Sequence, residues 1–382
     1  MSNELFCFYL FDKYRFCHLE LRWKRFHETF GDMSPRRRRN LDSDWSLIVE
    51  KVTIKEIAKV ANVSYATVSR ALSGSPEIGD ATRERILNIC EEMKYIPDSV
   101  ARSMVRKRTD IIGVVTASIN NPFMSELIEA IEVAARERGY NLMVCNSSYD
   151  LELEKRQFSL LLGRRVDGII VIPAGHDTAR NLSGYQTDVP VVYVSENLQD
   201  GEASYVAIDN AAGARIGVEY LYKMGHRNIL YLGRREGSLT HSLRADGVIK
   251  ACAELGMNVS FKDNLSSGKS SMDAGYQLAK EYFASPAGAT AIFCATDSLA
   301  LGAMHAADEA GVRIPDDISI LGFDNISFTS LPRIGMTTVE QPKAEMAQAA
   351  IDLVLSERTE GDQKSSRSIK PRLVERTSCR KI

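Results

Sequence analysis

The 382-residue sequence has no run approaching the roughly 20 consecutive apolar residues that a membrane span requires. Its short apolar stretch from Leu5 to Phe11 follows Glu4 instead of a basic segment, and Asp12, Lys13 and Arg15 trail it. That order argues against a secretory leader and for a cytoplasmic protein with no membrane partner. Cysteine is sparse: seven residues, at 7, 17, 90, 145, 252, 294 and 379, with no C-x-x-C spacing and no cysteine–histidine cluster. Neither a disulfide framework nor a metal site finds support, and reduced thiols fit best. Cys145 and Cys294 lie in apolar strand-like runs, where small buried hydrophobes are expected. The six histidines (18, 27, 176, 226, 241, 305) are dispersed and read mostly as surface or turn residues, with His226 in a turn ahead of a strand. The patterns G-x-S-x-G, G-x-x-x-x-G-K-[ST] and H-E-x-x-H are absent. The expectation is therefore no catalytic residue, no cofactor, and binding instead of turnover.

Charge of one sign is also lacking, since the net charge is −2. Its distribution is uneven: residues 52–110 carry ten Lys/Arg against eight Asp/Glu, whereas residues 111–382 carry 28 against 34. A basic excess of two is only a faint nucleic-acid signal, so placement matters more than the total. Residues 1–51 mix aromatics with the run Arg36-Arg37-Arg38-Arg39, hold no apolar period, and are left without a fold. The preferred reading of this extension is upstream sequence translated from a misplaced start. The alternative is a basic arm that adds phosphate affinity.

What is present begins at Val52. Thr53-Ile54-Lys55-Glu56 is a capping box, and Ile54, Ile57, Ala58 and Ala61 then recur on one helical face. Asn62-Val63-Ser64 reads as a turn, with Asn62 tolerant of a left-handed backbone and Ser64 placed to cap a second helix, Tyr65 to Leu72. Val68, Ala71 and Leu72 of that helix can face inward, while Tyr65, Ala66 and Arg70 project outward. A DNA-reading helix must bury one side and aim polar groups from its first turns into the major groove, and Arg is the side chain best shaped for guanine O6 and N7. Gly74-Ser75-Pro76 breaks the chain. Asp80 is a candidate cap for a third helix whose buried stripe is Ile86, Leu87, Cys90 and Met93. Residues 52–97 thus form a three-helix, all-α helix-turn-helix headpiece. Residues 98–110 read as a hinge helix and linker, too short to be stable alone. Docking on DNA can fold it, and Met104 suits a minor-groove wedge.

After residue 110, strand-like runs (IIGVVTA, NLMVCNS, VDGIIVIP, PVVYVSE, then YVAID, NILYLG, AIFCAT, ISILGFD) alternate with helical segments at 122–138, 151–163, 177–186, 210–224, 241–255 and 298–310. This alternation predicts α/β architecture with parallel doubly wound sheets, and two similar halves predict two lobes. Residues 111–382 are assigned to ligand binding and dimerisation. The N-lobe takes mainly 111–208 plus about 340–368, and the C-lobe mainly 209–338 plus the C-terminal strand.

Ligands of open parallel sheets gather beyond the carboxyl ends of strands. The first strand ends near Asn121 and Phe123, able to hydrogen-bond hydroxyls and to stack on a sugar ring; Phe123 has helix-start packing as its alternative. Arg244 can hold vicinal hydroxyls or a carboxylate through its planar fork, and Asp324 is its acceptor counterpart. Thr296 and Asp297 end another strand, with helix capping an equal reading of Asp297. Ser195, Glu196 and Asp209 lie at further strand ends.

Taken together, VTIKEIAKVANVSYATVSRALSG, TRERI, YIPDSVARSM, VDGIIVI, GHRNI, ATDSLALG and GFDN, in that order across residues 52–382, resemble the LacI/GalR family of repressors. The resemblance implies a homodimer or tetramer whose headpieces bind a near-palindromic double-stranded operator. It also implies sensor lobes like periplasmic sugar-binding proteins, with a small effector, a carbohydrate in most members, bound between them. Tyr65, Ala66 and Arg70 occupy the family's base-reading positions, and Met104 stands where Leu is usual. The full DNA-binding set expected is Thr53, Ser64, Tyr65, Ala66, Thr67, Ser69 and Arg70, with Arg102, Ser103 and Met104 from the hinge. Arg244, Asp324, Thr296 and Asp297 match recurrent effector-contacting positions. Two other classes share the sensor architecture: a transport binding protein, which needs export and no headpiece, and a sugar-converting enzyme, which needs turnover.

Overall fold

The computed structural model describes residues 52–95, 108–173, 178–196, 203–233, 238–263, 271–360 and 364–382. The extension 1–51 and the hinge residues Arg102, Ser103 and Met104 lie outside them.

The headpiece contains α1 (Ile54–Val60), α2 (Tyr65–Leu72) and α3 (Asp80–Glu92). Its core is Ile57, Ala58, Ala61, Val68, Ala71, Ile86 and Cys90, one stripe from each helix. Asn62 turns the chain with φ +50, in the left-handed region its short amide tolerates. Two expectations are corrected. Leu87 is exposed, because the stripe of α3 runs from Ile86 through Ile89 and Cys90 to Met93 at helical spacing. The third helix starts at Asp80 itself, so the cap lies one residue earlier than expected: Gly79 is the cap, without a side-chain bond, and Asp80 instead pairs with Arg83 at 3.2 Å.

The remainder is α/β, with two six-stranded sheets. The elements are β1 (Ile111–Thr116), α4 (Pro122–Glu137), β2 (Asn141–Asn146), α5 (Leu151–Gly163), β3 (Gly168–Ile172), α6 (Thr178–Leu182), β4 (Val191–Val194) and β5 (Ser204–Ile208). They continue with α7 (Asn210–Lys223), β6 (Asn228–Leu232), α8 (Leu239–Leu255), β7 (Asn258–Lys262), α9 (Met272–Ala284), β8 (Ala291–Cys294), α10 (Asp297–Glu309) and β9 (Ser319–Asp324). Last come β10 (Thr337–Glu340), α11 (Lys343–Glu360), β11 (Ser366–Ile369) and β12 (Arg372–Val374). The first sheet has the order β11-β5-β4-β3-β1-β2 and is wholly parallel; the second, β12-β10-β9-β8-β6-β7, is parallel except for β12. Strands such as Gly168–Ile172 and Ala291–Cys294 are buried along their whole length, as helices on both faces require.

The chain passes between the lobes at Asp209, at Gln341-Pro342 and at Lys370-Pro371, because β5 and β11 belong to the first sheet while β10 and β12 belong to the second. The strands β7, β10 and β11 and the helices α9 and α11 were not singled out by periodicity, whereas the C-terminal strand assigned to the C-lobe corresponds to β12. The pattern of β7 is mixed, with no fully buried residue. Cys145 and Cys294 are buried as expected, but so are His226 and His241, against the surface reading of the histidines. His226 does stand in a turn ahead of β6, with Nδ1 2.8 Å from Thr290 Oγ1, and His241 Nδ1 lies 2.8 Å from the Gly233 carbonyl.

Helices α9 and α10 cross at two glycines. A Cβ on Gly275 would overlap the Leu299 carbonyl, and one on Gly302 would overlap the Met272 carbonyl and the Tyr276 amide. Backbone cannot yield as a flexible side chain can. Gly302→Ala is expected to cost the sensor domain about 1–3 kcal/mol, the usual penalty of overpacking, measured as a lower urea midpoint of its unfolding transition. An unchanged midpoint would refute this close approach.

Candidate functional site

The headpiece presents its polar residues from capped helices. At α1, the Thr53 amide donates to Glu56 Oε2 at 2.6 Å and the Glu56 amide donates to Thr53 Oγ1 at 3.4 Å, which completes the capping box. The Thr53 amide first, and the Thr53 hydroxyl, which donates to the same Oε2 at 2.9 Å, second, hold the Glu56 carboxyl below its ordinary range. At α2, Ser64 Oγ accepts from the Thr67 amide at 3.1 Å and lies 2.8 Å from Thr67 Oγ1. Ser64 and Thr67 therefore satisfy the first turn of the helix they were expected to present to DNA. Tyr65, Ala66 and Arg70 are exposed, Ser69 is half-buried, and Val68 and Ala71 fill the core behind them. The outward face thus offers a phenol ring, a methyl and a guanidinium, a set able to contact base edges and phosphates together. Arg70 Nε is 3.3 Å from Glu77 Oε2.

The second site is built around Arg244, only 2% exposed, in the second turn of α8. Its Nε donates to Asn210 Oδ1 at 2.8 Å, and its Nη1 donates to the Ala295 carbonyl at 2.6 Å and to Asp324 Oδ1 at 3.4 Å. The guanidinium stands over the Phe323 ring, 3.7 Å from its centroid. Burial lowers the proton affinity of Arg244, and the Asp324 carboxylate opposes that shift. Asp324 ends β9 with φ +124, a strained conformation outside glycine, and Gln341 Nε2 donates to the same Oδ1 at 2.7 Å. Burial raises the Asp324 carboxyl, and Arg244 and Gln341 pull it back.

Asp297 takes a different part from Asp324. Thr296 is the cap of α10, accepting from the Leu299 amide at 3.3 Å, so Asp297 is the first helical residue. Its Oδ2 accepts from the Ile326 amide at 2.9 Å and its Oδ1 from Thr338 Oγ1 at 2.6 Å, with no exposure to solvent. Burial first, and the neighbouring Asp324 charge second, push its carboxyl up to about 7.

The remaining expected ligand residues are spread over both lobes. Asn121 caps α4 through Oδ1, accepting from the Phe123 and Met124 amides at 3.0 and 3.4 Å. Phe123 is 6% exposed and packs in the core, with Lys343 Nζ 5.9 Å from its ring centroid. Exposed Asp209 caps α7, accepting from the Ala212 amide at 2.8 Å. Ser195, with φ +70, gives its carbonyl to Thr240 Oγ1 at 3.1 Å, which links the end of β4 to α8 of the other lobe; Glu196 beside it is buried. Arg244 and Asp324 are in direct contact, Asp297 adjoins them, and the others are not drawn into that cluster.

Several partners escaped the sequence reading. Lys343 Nζ donates to the Asn325 and Asp324 carbonyls at 2.8 and 3.3 Å and pairs with Glu126 Oε2 at 3.2 Å. The same Glu126 accepts from the Ser327 amide at 2.7 Å, so an α4 carboxylate reaches the loop after β9. Gln341 and Lys343 follow β10, and the strand-end rule extended to that strand would have found them. Tyr231, in mid-strand, was beyond it. This residue lies edge-on to Phe261 and Phe293, and its buried hydroxyl has no hydrogen-bond partner among the described residues. No group of three or more metal-ligating side chains occurs among the described residues.

A family model described as bacterial regulatory proteins, lacI family, matches residues 53–98, and another described as periplasmic binding proteins and sugar binding domain of LacI family matches residues 109–371. The HTH-type transcriptional repressor PurR of Mannheimia succiniciproducens is 32% identical over 333 residues, 86% of this chain and 99% of that protein. Catabolite control protein A of Priestia megaterium is 33% identical over 306 residues, 79% and 91% of the two chains. Among solved structures, the lac repressor dimer bound to operator and the anti-inducer ONPF superposes with a TM-score of 0.76 at 28% identity, over 86% of this chain and 99% of that one. The CelR–cellobiose complex gives 0.61 at 27%, over 86% and 99%.

The position of Asp297 carries a pH dependence. The folded chain holds this proton up to about pH 7, whereas an unfolded aspartate loses it near pH 4. The stability it supports is complete below about pH 4 and is lost as pH rises to about 7. Asp297→Asn keeps an acceptor for Ile326 and a polar partner for Thr338. Relative to the parent, this variant is expected to gain urea resistance between pH 5 and pH 8. A difference that stays constant across that range would show that no buried proton is released.

Proposed function

The chain belongs to the LacI family of bacterial regulatory proteins, and we propose that it is a transcription repressor whose operator affinity is set by a sugar or sugar derivative bound at the Arg244–Asp324 pair. In this reading two chains pair, so that two copies of α2 address a near-palindromic duplex, and the protein works in the cytoplasm. Tyr65, Ala66 and Arg70 read base edges, and Thr53, Ser64, Thr67 and Ser69 line the same face. Arg102, Ser103 and Met104 complete the contact from the hinge. The observation that carries the sensing half is the buried Arg244, a planar donor fixed by three acceptors and a ring at the strand ends of the C-lobe. The relative crystallised with cellobiose supports a carbohydrate.

The ligand acts by binding one arrangement of the lobes better than another, which is the only way binding moves an equilibrium. On this reading the contacts that join the lobes at this place, Glu126 with Ser327, Lys343 with the Asp324 and Asn325 carbonyls, and Ser195 with Thr240, differ between such arrangements. Their shift alters the spacing of the paired hinges, and with it the folding of 98–106 on DNA. A coupling of about 1–3 kcal/mol changes operator affinity roughly 5- to 150-fold.

Thermal-shift screening of the full chain against hexoses, disaccharides, phosphorylated sugars and nucleosides tests the sensing half. A neutral or phosphorylated sugar is expected to raise the melting temperature, and the same compound to change affinity for DNA within that range. A response confined to nucleosides would replace the carbohydrate reading. For the DNA half, Arg70→Ala is expected to leave the fold intact and to lose about 1–3 kcal/mol of discrimination for the duplex the parent selects from a randomised pool. Unchanged specificity in that variant would refute the assignment of α2.

A further inference from the structure

Arg70, the cation of the proposed reading face, lies against an acidic residue of its own headpiece, and the loop that carries that residue is clamped. Glu77 belongs to the loop joining α2 to α3. Gly74 turns the chain with φ +73, and the Ser75 amide donates back to the Arg70 carbonyl at 3.0 Å. Arg83 Nη2 then donates to the carbonyls of Ser75 and Ile78 at 2.7 and 3.1 Å, which clamps the loop on both sides of Glu77. Arg83 is anchored in turn by Asp80, and the Glu77 amide donates to Ser75 Oγ at 3.4 Å.

Folding stability does not account for the pair. The Arg70 and Glu77 side chains are 57% and 66% exposed, and an ion pair so open to water adds next to nothing to stability. Phosphate affinity does not account for it either, since a carboxylate on the outward face repels the DNA backbone. Its effect is on Arg70. A long side chain must be ordered before it can grip a base edge, and a partner that orders it in advance removes that cost from binding. Glu77 engages Nε, the edge nearest the backbone, and leaves the terminal nitrogen pair that guanine O6 and N7 accept from.

We propose that Glu77 is a positioning residue that sets base specificity: it holds the Arg70 fork for one guanine and, by its charge, weakens binding to every other sequence. This rests on the reading of Arg70 as the base contact.

The test uses the full chain, the duplex selected by the parent from a randomised pool, versions of it substituted at each position, and an unrelated duplex, over a series of salt concentrations. Glu77→Leu removes both charge and hydrogen bond, whereas Glu77→Gln keeps the shape and the acceptor. Both are expected to bind the unrelated duplex more tightly and with a steeper salt dependence, by up to about one phosphate's worth of slope. Discrimination at the Arg70-dependent position is expected to fall about three- to tenfold in Glu77→Leu, part of what a bidentate pair supplies, with partial recovery in Glu77→Gln. If Arg70→Ala abolishes that discrimination and Glu77→Leu preserves it, the role of Glu77 is refuted alone. If Arg70→Ala preserves it, the reading of Arg70 falls and the role of Glu77 with it. Equal weakening on all duplexes with a lowered melting temperature would reduce Glu77 to a structural residue and overturn the proposal.

Discussion

A guanidinium cannot be taken out of water unless its donors are met, and the C-lobe is arranged around meeting those of Arg244. Four groups from three pieces of the chain answer that requirement: Asn210 at the start of α7, the Ala295 carbonyl after β8, and the Asp324 carboxylate and Phe323 ring at the end of β9. Each is placed by a strand end or a helix start, so the packing of α7 and α8 on the sheet and the position of the charge are one constraint. Losing Asp324 would leave a buried cation, and losing Arg244 would leave a buried anion in a strained backbone.

That constraint reaches beyond its lobe. Asp324 is also the acceptor of Gln341, which sits where the chain crosses from β10 to α11, and its carbonyl accepts from Lys343 two residues further on. Lys343, already in the N-lobe at the start of α11, pairs there with Glu126 of α4. A ligand that competes for Asp324 therefore perturbs the same short path that joins the two lobes. The connection is a continuous run of polar contacts from Asp324 through Gln341 and Lys343 to Glu126, the kind of physical network through which two sites can be coupled.

The sequence was readable where local chemistry and period agree. The capping box at Thr53, the left-handed turn at Asn62 and the outward set Tyr65, Ala66 and Arg70 all lie within a few residues of their causes. Helices 151–163 and 210–223 have an N-cap aspartate, and their starts were found to the residue. The Arg244–Asp324 pair was legible as a strand-end rule, although the residues are 80 apart. Less was legible where a residue's surroundings come from distant chain. Leu87 follows an apolar stripe but falls on its outer side, and His226 and His241 are buried by partners in other segments. Asp297 read equally as a cap or a ligand contact; Thr296 is the cap, and the carboxylate serves the Ile326 amide and Thr338. No window of sequence contains those three together.

The two arginines that matter most here show how environment divides one chemistry between two tasks. Arg244 is ordered by burial, with its bonds made inside the chain, so the ligand proposed to bind there would meet a fixed fork at the cost of exchanging a partner. Arg70 is tethered by one exposed carboxylate, an attachment weak enough to yield to a better acceptor. A sensor must refuse most small molecules, and a rigid, desolvated site does so through the penalty on unpaired groups. A reading helix must sample many duplexes and release nearly all of them, which a rigid buried cation would prevent. The same side chain is therefore locked in one domain and lightly tethered in the other, and the difference follows from water access instead of from residue type.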